Sequence, residues 1–173
     1  MIKMERVWAM PNKWTFTIKP ITKLLKEEME GIFWIDPYCG NNSPAMIKND
    51  LNPEINAEYH LDALEFLKSK QESEYDGCLF DPPYSLRQLK ECYGSIGLKP
   101  KLDVFNASYQ AKQKDIISRI IKPGGKCISF GWQSNGIGKT RGFQIQRILL
   151  VAHGRQHNDT IVTVEKKINE VLK

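Results

Sequence analysis

Several features that would point to a membrane, secreted or metal-binding protein are missing from the 173-residue sequence. No apolar run approaches the roughly 20 residues that a bilayer-spanning helix needs. The first residues contain Glu5 and no continuous apolar stretch, so they lack the pattern of a secretory signal peptide. The cysteines are scattered without a CxxC pair, which argues against a zinc site or a disulfide framework. They are Cys39, Cys78, Cys92 and Cys127. We therefore expect a cytoplasmic protein without a metal or a membrane partner.

The sequence also lacks internal repeats, low-complexity tracts and linkers, so we expect a single domain over residues 1–173. Its net charge of +5 is unevenly distributed. Residues 1–85 contain 9 basic and 14 acidic residues, whereas residues 86–173 contain 16 basic and 6 acidic ones. The basic half indicates either contact with a polyanion or a solvated lysine-rich surface, and charge alone does not separate the two.

Apolar runs bounded by Gly, Pro, Asn and Asp predict alternating strands and helices. Strands are expected at residues 32–35, 45–47, 77–80 and 126–132, and helices at residues 62–67 and 109–121. Residues 143–152 and 160–164 flank a turn-rich segment, which predicts an antiparallel hairpin. Residues 85–107 show weak periodicity, and we expect a long mobile loop there.

This alternation predicts an α/β fold with a Rossmann-like, mostly parallel sheet that ends in the antiparallel hairpin at its edge. In such sheets ligands bind beyond the carboxyl ends of the strands. Asp36-Pro37 and Asp81-Pro82 each follow a predicted strand. We therefore expect both motifs at one ligand-binding edge.

Asp81-Pro82-Pro83-Tyr84 is the most specific motif in the sequence. An exocyclic amine on a nucleic-acid base is a poor nucleophile, because its lone pair is delocalised into the ring. A carboxylate and a backbone carbonyl that accept its two N–H groups push the nitrogen toward sp³ geometry, and consecutive prolines stiffen the backbone that presents both. The aromatic residue offers a stacking face for a flipped-out base. The alternative is a proline turn at a strand end, in which Asp81 caps and Tyr84 packs.

With this motif the sequence resembles the amino-methyltransferases that act on N6 of adenine or N4 of cytosine, whose catalytic motif is Asp-Pro-Pro-Tyr. Asp36-Pro37-Tyr38-Cys39-Gly40-Asn41 is similar to their cofactor motif, and the tail over residues 129–160 looks most like small phage-encoded adenine methyltransferases. The resemblance covers residues 11–167. It implies S-adenosyl-L-methionine as the cofactor, Asp81, Pro82, Pro83 and Tyr84 as catalytic residues, and adenine in DNA as the target, since cytosine enzymes more often carry serine at the first position.

The resemblance also implies a set of cofactor-binding residues. Asp50 would bind the ribose hydroxyls, Asp62 and Ala63 would contact the cofactor's adenine, and the segment around Trp14 would close over the methionine end. The members of the implied set are Trp14, Asp36, Tyr38, Gly40, Asp50, Asp62 and Ala63. Each aspartate has a structural alternative. Asp36 is also a common turn former before proline, Asp50 fits an Asx-turn, and Asp62 fits a helix N-cap.

The sequence departs from the family pattern in its first crossover. Only residues 37–45 separate the first two predicted strands, and they include Pro37 and Pro44. A parallel crossover normally takes a dozen or more residues and a helix. We therefore expect that the helix after the cofactor loop is missing or reduced to a turn, which leaves a more open cofactor site.

A second departure is that the chain has no room for a separate target-recognition region. The basic stretch within residues 85–107 is the internal candidate for binding nucleic acid, with Arg87, Lys90, Lys99 and Lys101. Alternatively the protein forms a homodimer or is relaxed in sequence preference. Trp132 and Phe143 are candidates for stacking on a target base, although aromatics at strand ends are more often core.

The leading hypothesis is thus a site-specific adenine methyltransferase acting on DNA. Cytosine N4, an RNA base or a glutamine amide remain alternatives, because the same pair of acceptors serves each planar nitrogen. A non-catalytic DNA-binding module with a degenerate cofactor pocket is an alternative of a different class, which the short crossover motivates.

Overall fold

The computed structural model describes residues 1–100, 102–105, 107–154 and 157–168. Within these residues, seven strands form one mixed sheet with helices on both faces. The strands are β1 (Lys3–Trp8), β2 (Trp34–Asp36), β3 (Ile47–Lys48), β4 (Tyr75–Phe80), β5 (Ile121–Gly131), β6 (Phe143–Ala152) and β7 (Thr160–Lys167). The helices are α1 (Lys19–Glu28), α2 (Ala63–Lys68), α3 (Leu86–Ser95) and α4 (Ala107–Ile120), with short 3₁₀ turns at Thr15–Thr17, Leu102–Phe105 and Lys139–Arg141.

The sheet confirms the predicted fold class and corrects the place of the hairpin. The strand order is β1-β6-β7-β5-β4-β2-β3. β1 pairs with β6, β2 with β3, and β4 with both β2 and β5, all in parallel. β7 runs antiparallel between β5 and β6. The hairpin therefore lies inside the sheet, and the edge that it was expected to form is occupied by β1, which the sequence analysis did not predict.

Two hydrophobic clusters fill the two sides of the sheet. Helix α1 packs Ile21, Leu24 and Leu25 against β4, β5, β6 and β7 on one side, while α2 and α4 cover the other side of β4 and β5. The sequence analysis missed α1, although these three residues have helical i, i+3, i+4 spacing and Pro20 lies in the first turn, where proline is tolerated.

The expectation of a long loop over residues 85–107 is wrong, because α3 occupies its first half. The Ser85 side chain caps this helix by accepting a hydrogen bond from the Gln88 backbone N–H at 3.2 Å. Leu89 and Tyr93, one helical turn apart, are only partly buried against the core, and no residue of α3 is fully buried. A helix attached by so few apolar contacts has the weak periodicity that the sequence shows.

The short first crossover is confirmed. Residues 37–45 are all described and contain turns but no helix. Asp36 is the last residue of β2, and Asp81 directly follows β4. Because β2 and β4 are parallel neighbours, the two Asp-Pro motifs lie at the same carboxyl edge of the sheet, as predicted. No helix in the described part of the chain is long and apolar enough to cross a membrane.

Candidate functional site

A cavity of about 590 Å³ opens at the carboxyl edge of the sheet. Its wall combines residues 13–16, the loop at residues 37–42, the segments at residues 49–51 and 61–63, residues 81–84, and one side of α3. We call it the large cavity. Six of the seven predicted cofactor residues line it, namely Trp14, Tyr38, Gly40, Asp50, Asp62 and Ala63.

Asp36, the seventh, is not among the residues of the cavity wall. Its side chain is fully buried beneath the loop, where it accepts hydrogen bonds from the Tyr38 backbone N–H at 2.9 Å and the Ser43 hydroxyl at 2.6 Å. Burial raises the pKa of this carboxyl to about 7. Asp36 is therefore the turn former of the alternative interpretation, and it shapes the loop that lines the cavity.

Asp50 lines the large cavity, as predicted for a cofactor-binding residue, and it also forms the Asx-turn that was its structural alternative. One carboxylate oxygen accepts from the Asn52 backbone N–H at 2.9 Å, which is an Asx-turn. The other accepts from the Gly40 backbone N–H at 3.0 Å and so ties the loop to the end of β3. Gly40 has φ of +52°, and a Cβ there would lie 3.5 Å from the Trp14 ring. The loop at residues 37–42, the Asp50 carboxylate and the segment around Trp14 thus form one continuous wall of the cavity.

Asp62 is likewise both an N-cap and a cavity residue. Its Oδ1 accepts from the Leu64 backbone N–H at 3.0 Å and caps α2. Its Oδ2 accepts from the hydroxyls of Tyr109 at 2.6 Å and Tyr93 at 3.0 Å, which connects α4 and α3 to the cavity floor. Burial and the bond to Asp62 raise the pKa of Tyr109 far above its ordinary value. No sequence pattern had indicated a role for these two tyrosines.

Residues 81–84, which we call the acceptor strip, directly follow β4 and line the large cavity. Burial raises the pKa of Asp81, whose carboxylate accepts from the hydroxyl of Tyr84 and interacts with that of Thr15. The Tyr84 backbone N–H donates to the Gln88 side chain at 2.7 Å. Among the described residues, no donor bonds to the Pro82 carbonyl oxygen. The strip therefore presents a half-buried carboxylate beside a backbone acceptor to which no described residue donates.

A second cavity, of about 250 Å³, shares Pro82 and Tyr84 with the large one. We call it the small cavity. Aromatic and polar side chains line it: Phe80, Gln110, Lys114, Ser129, Phe130, Trp132, Gln133 and Asn135. Trp132 is 43% exposed, with its ring centroid 5.7 Å from that of Tyr84. Phe143, by contrast, is fully buried core.

The loop that closes the small cavity is held from a distant strand. Buried Glu165 of β7 accepts hydrogen bonds from the backbone N–H groups of Ile137 at 2.5 Å and Gly138 at 3.0 Å. A Cβ at Gly136 would collide with the Glu165 carboxylate, so only glycine fits there. Glu165, Gln110 and Lys114 were all missed by the sequence analysis, because each meets the site only through tertiary packing.

The three candidate nucleic-acid residues that the structure describes lie outside both cavities. Arg87 and Lys90 are exposed on α3, and Lys99 is exposed just beyond it. Arg87 is paired with Glu91 at 2.8 Å, and the Lys90 ammonium lies 5.9 Å from the centre of the Phe105 ring. Lys101 lies outside the described residues. In the part of the chain that the structure describes, no group of three or more His, Cys, Asp or Glu side chains is arranged to hold a metal ion.

Comparison of the whole chain with known proteins found no matching family model and no matching curated sequence. Solved structures do match. The N-methyltransferase NodS from Bradyrhizobium japonicum superposes with a TM-score of 0.57 at 9% identity, over 87% of this chain and 94% of NodS. The 1,6-didemethyltoxoflavin-N1-methyltransferase from Burkholderia thailandensis, solved with 1,6-didemethyltoxoflavin and S-adenosylhomocysteine bound, superposes with a TM-score of 0.51 at 12% identity, over 79% of this chain and 71% of that one.

This chain has the methyltransferase fold. TrmN from Thermus thermophilus shares it, with a TM-score of 0.54 at 14% identity over 87% of this chain. The present chain spans about half of TrmN, 49% of its length. At these identities the likeness establishes the methyltransferase fold alone, so the chemistry has to be argued from the residues of the two cavities.

Proposed function

We propose that the protein is an S-adenosyl-L-methionine-dependent methyltransferase that transfers a methyl group to N6 of adenine in DNA. The observation that carries this proposal is the acceptor strip between the two cavities. A methyl donor in the large cavity and a planar amine in the small cavity would meet beside Asp81 and the Pro82 carbonyl.

The residues of the large cavity fit the cofactor. Its volume of about 590 Å³ is in the range of small-molecule sites. Among the described residues, four carboxylates line it, those of Asp50, Asp62, Asp81 and Glu91, against one ammonium, that of Lys13. Such a wall suits a ligand with a cationic sulfonium and an ammonium group. When bound, the cofactor would supply a methyl group made electrophilic by that sulfonium.

Each wall residue then has a specific task. Asp50 would accept from the ribose hydroxyls, and Ala63 and Asp62 would border the adenine ring. Trp14, with the Lys13 ammonium 4.8 Å from its ring centre, would close the methionine end. Asp36 would act indirectly by holding residues 37–42 in place.

The small cavity suits a flat heterocycle with an exocyclic amine. Asp81, which lines the large cavity next to Pro82, and the Pro82 carbonyl would accept its two N–H groups. Tyr84 and Trp132 provide aromatic walls of the small cavity. The resemblance to the amino-methyltransferases favours adenine, since aspartate begins the motif. Exposed Arg87, Lys90 and Lys99 would contact DNA phosphates, as we also expect of Lys101. A homodimer would extend this small basic surface and take the place of a recognition region. DNA as substrate is consistent with the cytoplasm of a bacterial or phage-infected cell.

The test is transfer by the purified protein from isotopically labelled cofactor to duplex DNA, single-stranded DNA, RNA and protein in parallel. We expect label in N6-methyladenine of DNA with the wild type and none with Asp81→Ala. Label in N4-methylcytosine, in RNA or in a glutamine amide would replace adenine in DNA as the substrate.

Calorimetry with the cofactor separates the remaining alternative. A non-catalytic module would show no cofactor binding at millimolar concentration while still binding DNA with strong salt dependence. The enzyme is expected to bind cofactor in both the wild type and Asp81→Ala.

A further inference from the structure

Tyr84 makes hydrogen bonds through both its side chain and its backbone, in addition to offering an aromatic ring. Its hydroxyl donates to the Asp81 carboxylate, and its backbone N–H is held by Gln88 at 2.7 Å. Its ring meets the Trp132 ring edge to face, with an interplanar angle of 64°. A residue that served only as a stacking platform would need none of these polar contacts.

Thr15 reaches the same carboxylate from a different element. It begins the 3₁₀ turn Thr15–Thr17 and lines the large cavity, and its hydroxyl interacts with both Asp81 and Tyr84. The turn is itself fixed, since the Thr17 hydroxyl donates to the Trp14 carbonyl at 2.8 Å. The Tyr84 hydroxyl therefore holds the carboxylate from its own strip, and Thr15 lies on the N-terminal segment that borders the large cavity.

The physical need for such donors follows from burial. A carboxyl group in a buried site is pushed toward its neutral form, and the neutral form is a poorer acceptor for an amine N–H. Hydroxyl donors favour the ionised form. Bonds to one oxygen also fix the plane of the carboxylate and leave the other oxygen for the substrate.

We propose that the Tyr84 hydroxyl positions the Asp81 carboxylate and keeps it ionised for the target amine, and that the Thr15 hydroxyl assists it. This role rests on the proposed function, because it assigns Tyr84 a task in the same transfer. It makes Tyr84 a positioning residue through its hydroxyl, independently of any stacking by its ring.

The test is the pH profile of single-turnover transfer at saturating cofactor and DNA for Tyr84→Phe, which keeps the ring and removes the hydroxyl. A hydrogen bond to a charged group corresponds to about a tenfold effect or more. We expect the acid limb to move up by about one pH unit, so that the rate on the acid side of that limb falls by about tenfold. High pH should restore much of the rate, since Asp81 then ionises without the donor. Cofactor affinity should stay within about twofold, because the hydroxyl donates to Asp81.

Other ionisable groups near Asp81 must be separated from this effect. Asp36 at the end of β2 interacts electrostatically with Asp81 and has a pKa of about 7, so its titration falls within the measured range. Lys13 lines the large cavity, and Lys114 lines the small one. These three groups are present in the wild type and in every variant. Only a difference between variants in the position of the acid limb is therefore assigned to Asp81.

Thr15→Val is the second variant and Tyr59→Phe the matched control. Thr15→Val should move the acid limb in the same direction, which keeps the test valid if Tyr84→Phe does not fold. Tyr59 is 38% exposed and lines neither cavity, so its variant should match the wild type. If the wild type is active, Asp81→Ala is inactive and both hydroxyl variants keep the wild-type rate and pH profile, this inference is overturned while the proposed function stands. A wild type without transfer overturns the proposed function itself.

Discussion

Replacing Asp36 with asparagine should remove a pH dependence from the stability of the protein. The carboxyl group is fully buried, and burial is the largest cause of its raised pKa of about 7, with nearby Asp81 and Asp50 adding to it. In the unfolded chain the pKa returns to about 4. Because the folded pKa is the higher one, the stabilising contribution is complete below about pH 4 and is lost as pH rises through 7.

The size of this effect follows from the two pKa values. Three pKa units correspond to about 4 kcal/mol, of which about 3 kcal/mol falls between pH 5 and pH 8. The asparagine side chain would have nearly the same shape and retain partners in the Tyr38 N–H and the Ser43 hydroxyl, but it would not titrate. Between pH 5 and pH 8 the free energy of unfolding of the wild type should therefore fall by about 3 kcal/mol more than that of Asp36→Asn.

The assay is urea unfolding of both proteins at pH 5 and pH 8, followed by tryptophan fluorescence. Subtracting the variant's free energy of unfolding from that of the wild type at each pH cancels the contribution of titrating groups that the two proteins share. If the two proteins lost equal free energy of unfolding between the two pH values, Asp36 would not be a buried titrating group, and its assignment as the residue that shapes the loop would fail.

Three further perturbations test other parts of the structure. Asp50→Asn should weaken cofactor binding by about tenfold in calorimetry, because it removes a charged acceptor from the large cavity; an unchanged Kd would remove Asp50 from the site. Arg147→Met should lower the free energy of unfolding by about 2 kcal/mol in urea, since Arg147 is buried against three partly exposed glutamates, and equal stability would show that the cluster contributes nothing. Replacing Arg87, Lys90 and Lys99 together with alanine should reduce the slope of log K for DNA against log salt by about 3, whereas an unchanged slope would place the phosphate contacts elsewhere.

The sequence was sufficient for the parts of the fold that depend on local pattern. The apolar runs before Asp36 and Asp81 place both motifs at strand ends, and the parallel sheet then brings them to one edge. The short length of residues 37–45 and their two prolines predicted that the crossover helix is missing or reduced to a turn, and the structure has no helix there. Strand β1 was missed because it is an edge strand in which no residue is fully buried, so its sequence carries little alternation.

The hydrogen bonds that connect the parts of the site join residues far apart in the sequence, so no local sequence pattern predicts them. Asp62 receives its tyrosine hydroxyls from 31 and 47 residues away, and Glu165 holds a loop 27 and 28 residues away. The local sequence also does not predict the direction in which a side chain points. Asp36 ends β2 and Asp50 follows β3, yet the Asp36 side chain is buried beneath the loop whereas Asp50 lines the cavity.

The most direct test of the central claim is nucleoside mass spectrometry of DNA from cells that express the wild type or Asp81→Ala, in a host without its own adenine methylation. We predict N6-methyladenine in DNA from the wild type and none from the variant, with both proteins present at similar levels. Equal amounts of N6-methyladenine with both proteins, or none with either, would contradict the assignment of the acceptor strip as the site of methyl transfer to DNA.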